Sequence, residues 1–201
     1  MRLIGITGGV GAGKSEILRF IKQHYCCKIY LADEVAHDLQ EPGGICYTKL
    51  IELLGESVLA EDKSIDKGKM AARIFLDKNL LLKVNAIVHP AVREYLENAV
   101  KEAENDGETE LFFIEAALLI ENGYKDFVDE MWYIYAGDEV RRERLKNSRG
   151  YDDDRISRIM ESQLSEERFR EGSDFILDNS GDLSEAHSLI KQRLEAYTWK
   201  E

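Results

Sequence analysis

Hydrophobic positions along the chain fall into two rhythms. Short, nearly unbroken apolar runs recur at Leu3-Ile4-Gly5-Ile6-Thr7, Lys28-Ile29-Tyr30-Leu31, Glu110-Leu111-Phe112-Phe113-Ile114, Glu130-Met131-Trp132-Tyr133-Ile134-Tyr135 and Asp174-Phe175-Ile176-Leu177-Asp178. Runs of this length without polar alternation predict strands buried on both faces, as in a parallel sheet. Between them lie stretches with helical spacing. Ile17, Leu18 and Ile21 share one face of a first helix, and Leu183 to Tyr197 reads as an amphipathic closing helix. Residues 45–105 read as mostly helical, with one helix starting near Asp66 and a longer run from Leu80 to Ala103. Pro90 is expected to kink or interrupt that run, because proline lacks the N–H and crowds the preceding turn. A helix from Asp138 is expected to end near Ser148-Arg149-Gly150, with a second continuing to about Glu171. Strands alternating with helices predict an α/β fold.

The first strand–helix junction carries candidate chemistry. Gly8-Gly9-Val10-Gly11-Ala12-Gly13-Lys14-Ser15 reads G-x-x-x-x-G-K-S and lies between a predicted strand and a predicted helix, the context that a phosphate-binding loop requires. Glycines let the main chain wrap phosphate oxygens, and the helix start adds its positive end. In that pattern Lys14 reaches the β- and γ-phosphates and the Ser15 hydroxyl ligates Mg²⁺. Asp33 follows the second strand, expected beside the phosphate loop. It is either the cap of the next helix or a carboxylate at a strand end, where open α/β sheets bind ligands. The residues alone leave both readings open.

Composition narrows the partners. The 201 residues suffice for one sizeable core with a small appended region, and no composition shift marks a linker. A net charge of −12 argues against a general nucleic-acid binder. Residues 140–170 stand apart, with nine basic against seven acidic side chains. Most of these arginines read as a solvated helical face. One or two can cover ATP phosphates as a lid, since a planar guanidinium matches phosphate oxygens. Cys26, Cys27 and Cys46 form no disulfide framework and show no metal-ligand spacing. No signal peptide and no membrane-spanning run is evident, so a cytoplasmic protein without membrane or nucleic-acid partners is expected. The guanine-binding Asn-Lys-x-Asp motif of a GTPase switch and the Leu-Ser-Gly-Gly signature of a transporter ATPase do not occur.

Taken in order, several motifs resemble dephospho-CoA kinases. They are Ile6 through Ser15, Ala32-Asp33-Glu34-Val35-Ala36 followed by Glu41-Pro42-Gly43, Arg73-Ile74-Phe75, His89-Pro90, Leu118-Leu119-Ile120-Glu121, Arg158 with Gln163, and Asp174 through Gly181. The resemblance spans nearly the whole chain. It implies a P-loop kinase fold, a five-stranded parallel sheet flanked by helices, built as one domain over residues 1–201. Its core would be approximately 1–40, 106–137 and 172–201, its helical CoA-side region approximately 41–105, and its lid approximately 138–171. It implies ATP-dependent phosphorylation of the ribose 3′-hydroxyl of dephospho-CoA to give CoA and ADP, the last step of coenzyme A biosynthesis, with ATP and Mg²⁺. Asp33 would then be the catalytic base and Lys14 the charge stabiliser. Gly8, Gly9, Gly11, Ala12, Gly13, Lys14, Ser15, Glu16, Arg141 and Asn179 would bind the nucleotide, with Ser15 on the metal and Asn179 bordering adenine. Glu115 would hold a metal-bound water, and His89 and Arg73 would either touch substrate or serve the structure. A monomer is expected. Three positions depart from the family pattern: Leu31 replaces a first aspartate, Glu16 a common threonine, and Ala117 a usual proline. The neighbouring reading is another small-molecule kinase, for instance one acting on nucleoside monophosphates, and residues 41–105 should distinguish them.

Overall fold

The computed structural model describes residues 1–198. All five apolar runs are strands: β1 (Arg2–Thr7), β2 (Cys27–Leu31), β3 (Leu111–Glu115), β4 (Glu130–Tyr135) and β5 (Phe175–Asp178). They form one parallel sheet in the order β2-β3-β1-β4-β5. Ile4 pairs with Phe113 on β3, Ile6 with Trp132 on β4, and Ile134 with Leu177 on β5. Ile4, Ile6, Phe112, Phe113, Ile114, Met131, Trp132 and Ile134 are all fully buried. That is why these strands read as continuous hydrophobic runs. The order corrects one expectation: β2 is not beside β1, because β3 lies between them.

The chain divides into two compact units, residues 30–105 and the remainder. In the larger one, α1 (Lys14–His24) buries Ile17, Leu18, Phe20 and Ile21. The basic segment forms α6 (Asp138–Arg149), α7 (Asp153–Glu161) and α8 (Glu166–Glu171). Two helices thus replace the single one expected after Gly150. Asp152 caps α7 by accepting from the Arg155 N–H at 2.7 Å, and Ser165 caps α8 from the Arg168 N–H at 3.3 Å. A side-chain cap at Ser165 offers the backbone a new start, which ends the preceding helix at Glu161. The closing helix α9 (Leu183–Thr198) buries Ala186, Ile190 and Leu194.

The smaller unit holds α2 (Ala32–Asp38), α3 (Tyr47–Leu54), α4 (Lys67–Phe75) and α5 (Lys78–Asp106), whose last residue already belongs to the larger unit. Asp66 caps α4 by accepting from the Lys69 N–H at 2.8 Å, as the sequence leads one to expect. Pro90 does not interrupt α5, a single helix of 29 residues. Val84, Val88, Val92 and Leu96 are buried at four-residue spacing on both sides of the proline. Burial of that continuous stripe offsets the one helical hydrogen bond that Pro90 cannot donate. The three cysteines are free thiols. Among the described residues no helix is long and apolar enough to cross a membrane.

Two features tie α9 to the rest of its unit. Glu130 is 2 % exposed, and its carboxylate accepts from Trp132 Nε1 at 3.0 Å, Arg193 Nε at 2.7 Å and the Tyr197 hydroxyl. Replacing Glu130 with Gln removes the charge that collects these donors. The expected cost is about 2 kcal/mol, the range of charge-assisted hydrogen bonds with half-exposed arginines, read as a lower urea midpoint at unchanged slope. On the opposite end of the helix, the His187 ring stacks on Phe20 at 3.8 Å, and its Nε2 is buried without a partner. Desolvation, with help from His24 and Lys191, pushes its pKa below the ordinary 6.5 despite Asp182. The folded state therefore prefers the neutral ring, and protons bind the unfolded chain more readily. Stability from this group is full above pH 6.5 and declines as pH falls below it. Unfolding measured between pH 8 and 5 should lose part of that slope in a His187→Phe variant.

Candidate functional site

The turn between β1 and α1 sets the site. Gly13 precedes the helix at φ 92°, a conformation L side chains rarely adopt, and a Cβ there would run into the Asn179 side-chain amide. Gly8, at φ 150°, leaves no room for a Cβ beside the Ile134 carbonyl. Ser15 stands exposed on the first turn of α1. The Glu16 N–H donates to the Gly13 carbonyl at 3.0 Å, and its carboxylate pairs with Arg19.

Lys14 is folded back over this turn. Its Nζ donates to the Gly8 carbonyl at 2.8 Å and lies 3.5 Å from Glu115 Oε1. Glu115 ends β3 in register with Ile6, which is how a residue a hundred positions away reaches the loop. Lys14 and Glu115 side chains are only 14 % and 15 % exposed, so this ion pair is held in a partly dry place.

The loop's other carbonyls are met by α6 and by the end of β5. Arg141 Nε donates to the Val10 carbonyl at 2.9 Å. Arg144 donates to the Ala12 carbonyl at 3.2 Å and to the Asn179 carbonyl at 2.8 Å. Asn179 Nδ2 adds a second donor to the Ala12 carbonyl, at 2.8 Å. Arg141 and Arg144 stand three positions apart on α6, so they share a helix face. The Gln163 side-chain oxygen accepts from the Val10 N–H at 3.1 Å and from Arg141 at 2.8 Å. The sequence expectation named Arg141 and Asn179 here but not Arg144, although the Arg-x-x-Arg spacing was a legible signal. Gln163 entered only as a family marker. Arg155 and Arg158, by contrast, are exposed on α7.

Asp33 belongs to the other unit. It is the second residue of α2, exposed, and Leu31 rather than Asp33 occupies the cap position. Its side chain lines a groove of about 280 Å³ with His37, Gln40 and Glu41 on one side and Ile65, Met70 and Ile74 on the other. His37 Nε2 lies 3.3 Å from Glu41. Both polar and aliphatic side chains thus line the groove. Arg73 is exposed on α4 and His89 half-buried on α5, and neither is among the lining residues. Among the described residues no cluster of three or more His, Cys, Asp or Glu is poised for a metal.

Comparison with known proteins bears on all of this. A dephospho-CoA kinase from Carboxydothermus hydrogenoformans is 32% identical over 99% of this chain and 96% of its own length. The crystal structure of TT1252 from Thermus thermophilus superposes with a TM-score of 0.82 at 26% identity, covering 97% of both chains. A dephospho-CoA kinase from Campylobacter jejuni shares the fold, with a TM-score of 0.73 at 20% identity over 98% of both chains. The family model for dephospho-CoA kinase matches residues 2–185. With a relative this similar over nearly its full length and a family match running from β1 into α9, the chain belongs to the dephospho-CoA kinase family.

Proposed function

We propose that phosphoryl transfer takes place at the loop of residues 8–15, with the ribose 3′-hydroxyl of dephospho-CoA as the acceptor and Asp33 as its base. Membership of the family settles the overall reaction, ATP-dependent phosphorylation of dephospho-CoA in coenzyme A biosynthesis. The observation that carries the residue-level reading is the Lys14 ammonium, buried to 14 % exposure over a loop whose Gly8, Val10 and Ala12 carbonyls take donors from Lys14, Arg141, Arg144 and Asn179. Residues 41–105 would serve the CoA side, α6 to α8 would act as the lid, and the protein would work as a cytoplasmic monomer.

Phosphoryl transfer asks for positioning and for charge stabilisation rather than for covalent chemistry. Lys14 supplies the charge. Its present partners, the Gly8 carbonyl and Glu115, keep it at the loop, and polyphosphate oxygens compete with Glu115 for it. Gly8, Gly9, Gly11, Ala12, Gly13, Ser15 and Glu16 contribute main chain around the phosphates, the α1 N-terminus adding its positive end. Arg141 and Arg144 are engaged with the loop itself, Arg141 keeping one terminal nitrogen able to turn towards phosphate, and the exposed Arg155 and Arg158 on α7 add further cations. Asn179, holding the Ala12 carbonyl, borders the adenine side.

Magnesium fits the donor set. It needs hard oxygen ligands, and in kinase sites one or two from the protein suffice beside phosphates and water. The exposed Ser15 hydroxyl would hold it directly, and the Glu115 carboxylate at the end of β3 would hold one of its waters. When bound, the ion neutralises charge developing on the β- and γ-phosphate oxygens.

Asp33 is the family's retained acid. Leu31 occupies the place of a second one, so the proton of the acceptor hydroxyl falls to Asp33 alone. Its groove, with aliphatic Ile65, Met70 and Ile74 beside polar His37 and Gln40, suits an acceptor larger than a bare nucleotide.

In an ADP-release assay with dephospho-CoA and nucleoside monophosphates as acceptors, dephospho-CoA should support turnover and the monophosphates should not. Lys14→Ala should still fold but lose about 10³-fold in kcat/KM for ATP, the scale for one preorganised charge. Near-parental turnover would remove the loop from the mechanism. Asp33→Asn keeps the size and, because Asp33 is not the helix cap, costs little stability. Its kcat should fall about 10²–10⁴-fold with the KM for ATP retained, the range for a general base. Turnover within a few-fold of the parent at saturating dephospho-CoA would reassign the base.

A further inference from the structure

We infer that Gln163 is a positioning residue for nucleotide binding, locking the tip of the phosphate loop and the Arg141 guanidinium into one arrangement. Gln163 lies in the break between α7 and α8, two residues before the Ser165 cap. Its Oε1 receives the Val10 N–H at 3.1 Å and an Arg141 terminal nitrogen at 2.8 Å. Arg141 Nε in turn reaches the Val10 carbonyl at 2.9 Å. The three bonds close a ring through Val10, Gln163 and Arg141. Both partners of the amide are donors, so its oxygen must face them.

The ring has consequences for Arg141. Its guanidinium lies against the Gly9 main chain so closely that a Cβ at Gly9 would collide with it, and the side chain is only 12 % exposed. Without Gln163, one of its terminal nitrogens and the Val10 N–H both lose their acceptor inside this partly buried place, which is costly for each. The remaining terminal nitrogen faces only Asp138, at 3.5 Å, and that carboxylate is 75 % exposed, so the partner is weak. That nitrogen is the part of Arg141 left to turn towards an anion. Gln163 therefore acts through Arg141 and the loop rather than on the substrate, and it couples the α7–α8 break to the nucleotide. A glutamate at this position keeps an acceptor for both donors, whereas a methionine of similar length keeps none.

This inference rests on the nucleotide lying at residues 8–15. The test compares Gln163→Met and Gln163→Glu in steady-state kinetics with ATP and dephospho-CoA varied in turn, alongside urea unfolding. Gln163→Met should raise the KM for ATP about tenfold, the size of one charge-assisted hydrogen bond, lower the urea midpoint because two partly buried donors lose their acceptor, and leave the KM for dephospho-CoA unchanged. Gln163→Glu should stay within about threefold of the parent, since charge-assisted acceptors replace the amide. In an Arg141→Ala background, Gln163→Met should add clearly less than its loss in the parent, only the Val10 N–H being left to lose its acceptor. An unchanged KM for ATP, equal impairment by Met and Glu, or a full additional loss on top of Arg141→Ala would each overturn the inference. If Lys14→Ala also leaves ATP binding untouched, the loop reading itself fails. If Lys14→Ala impairs it and Gln163→Met does not, only the role of Gln163 falls.

Discussion

The Gly8, Val10 and Ala12 carbonyls in the turn between β1 and α1 take side-chain donors, and much of the larger unit converges on supplying them. Glycines at positive φ bend the chain so that its N–H groups can face an anion, and the same bend turns carbonyls outward. Gly8 is met by Lys14, Val10 by Arg141, and Ala12 by Arg144 and Asn179 together. The donors come from the loop's own end, from α6 and from the residue after β5. Strand order brings Asn179 alongside, since β5 pairs with β4 and β4 with β1. An orphaned carbonyl in this partly buried place would be expensive, so the fold that supplies donors also stiffens the loop.

The same arrangement reconciles charge with chemistry. A chain of net charge −12 would repel a polyphosphate if its charges were spread evenly. Instead the cations gather where α6 meets the loop, and Lys14 is held ready by Glu115 at 3.5 Å. The Gly8 carbonyl and the Glu115 carboxylate together keep the lysine at the turn.

The smaller unit is built on a different plan. It is helical, its core runs along the four-residue stripe of α5, and its groove mixes a carboxylate with aliphatic side chains.

Strand positions were legible because burial on both faces writes an unbroken apolar run, and Asp66 could be read as a cap because its chemistry is local. The phosphate loop was legible because its glycines, lysine and serine must be adjacent in sequence to be adjacent in space. The continuity of α5 through Pro90 was not, since a stripe of buried valines outweighed a local rule. Nor was the break before Ser165, where a serine cap competed with a helical pattern. Strand order could not be read at all: β3 enters between β2 and β1 through pairing that no local signal encodes. For the same reason the contacts of Glu115 and Gln163 with the loop lay beyond the sequence. A hydrogen bond spanning more than a hundred residues depends on how strands and helices pack, and packing is decided by the whole core at once.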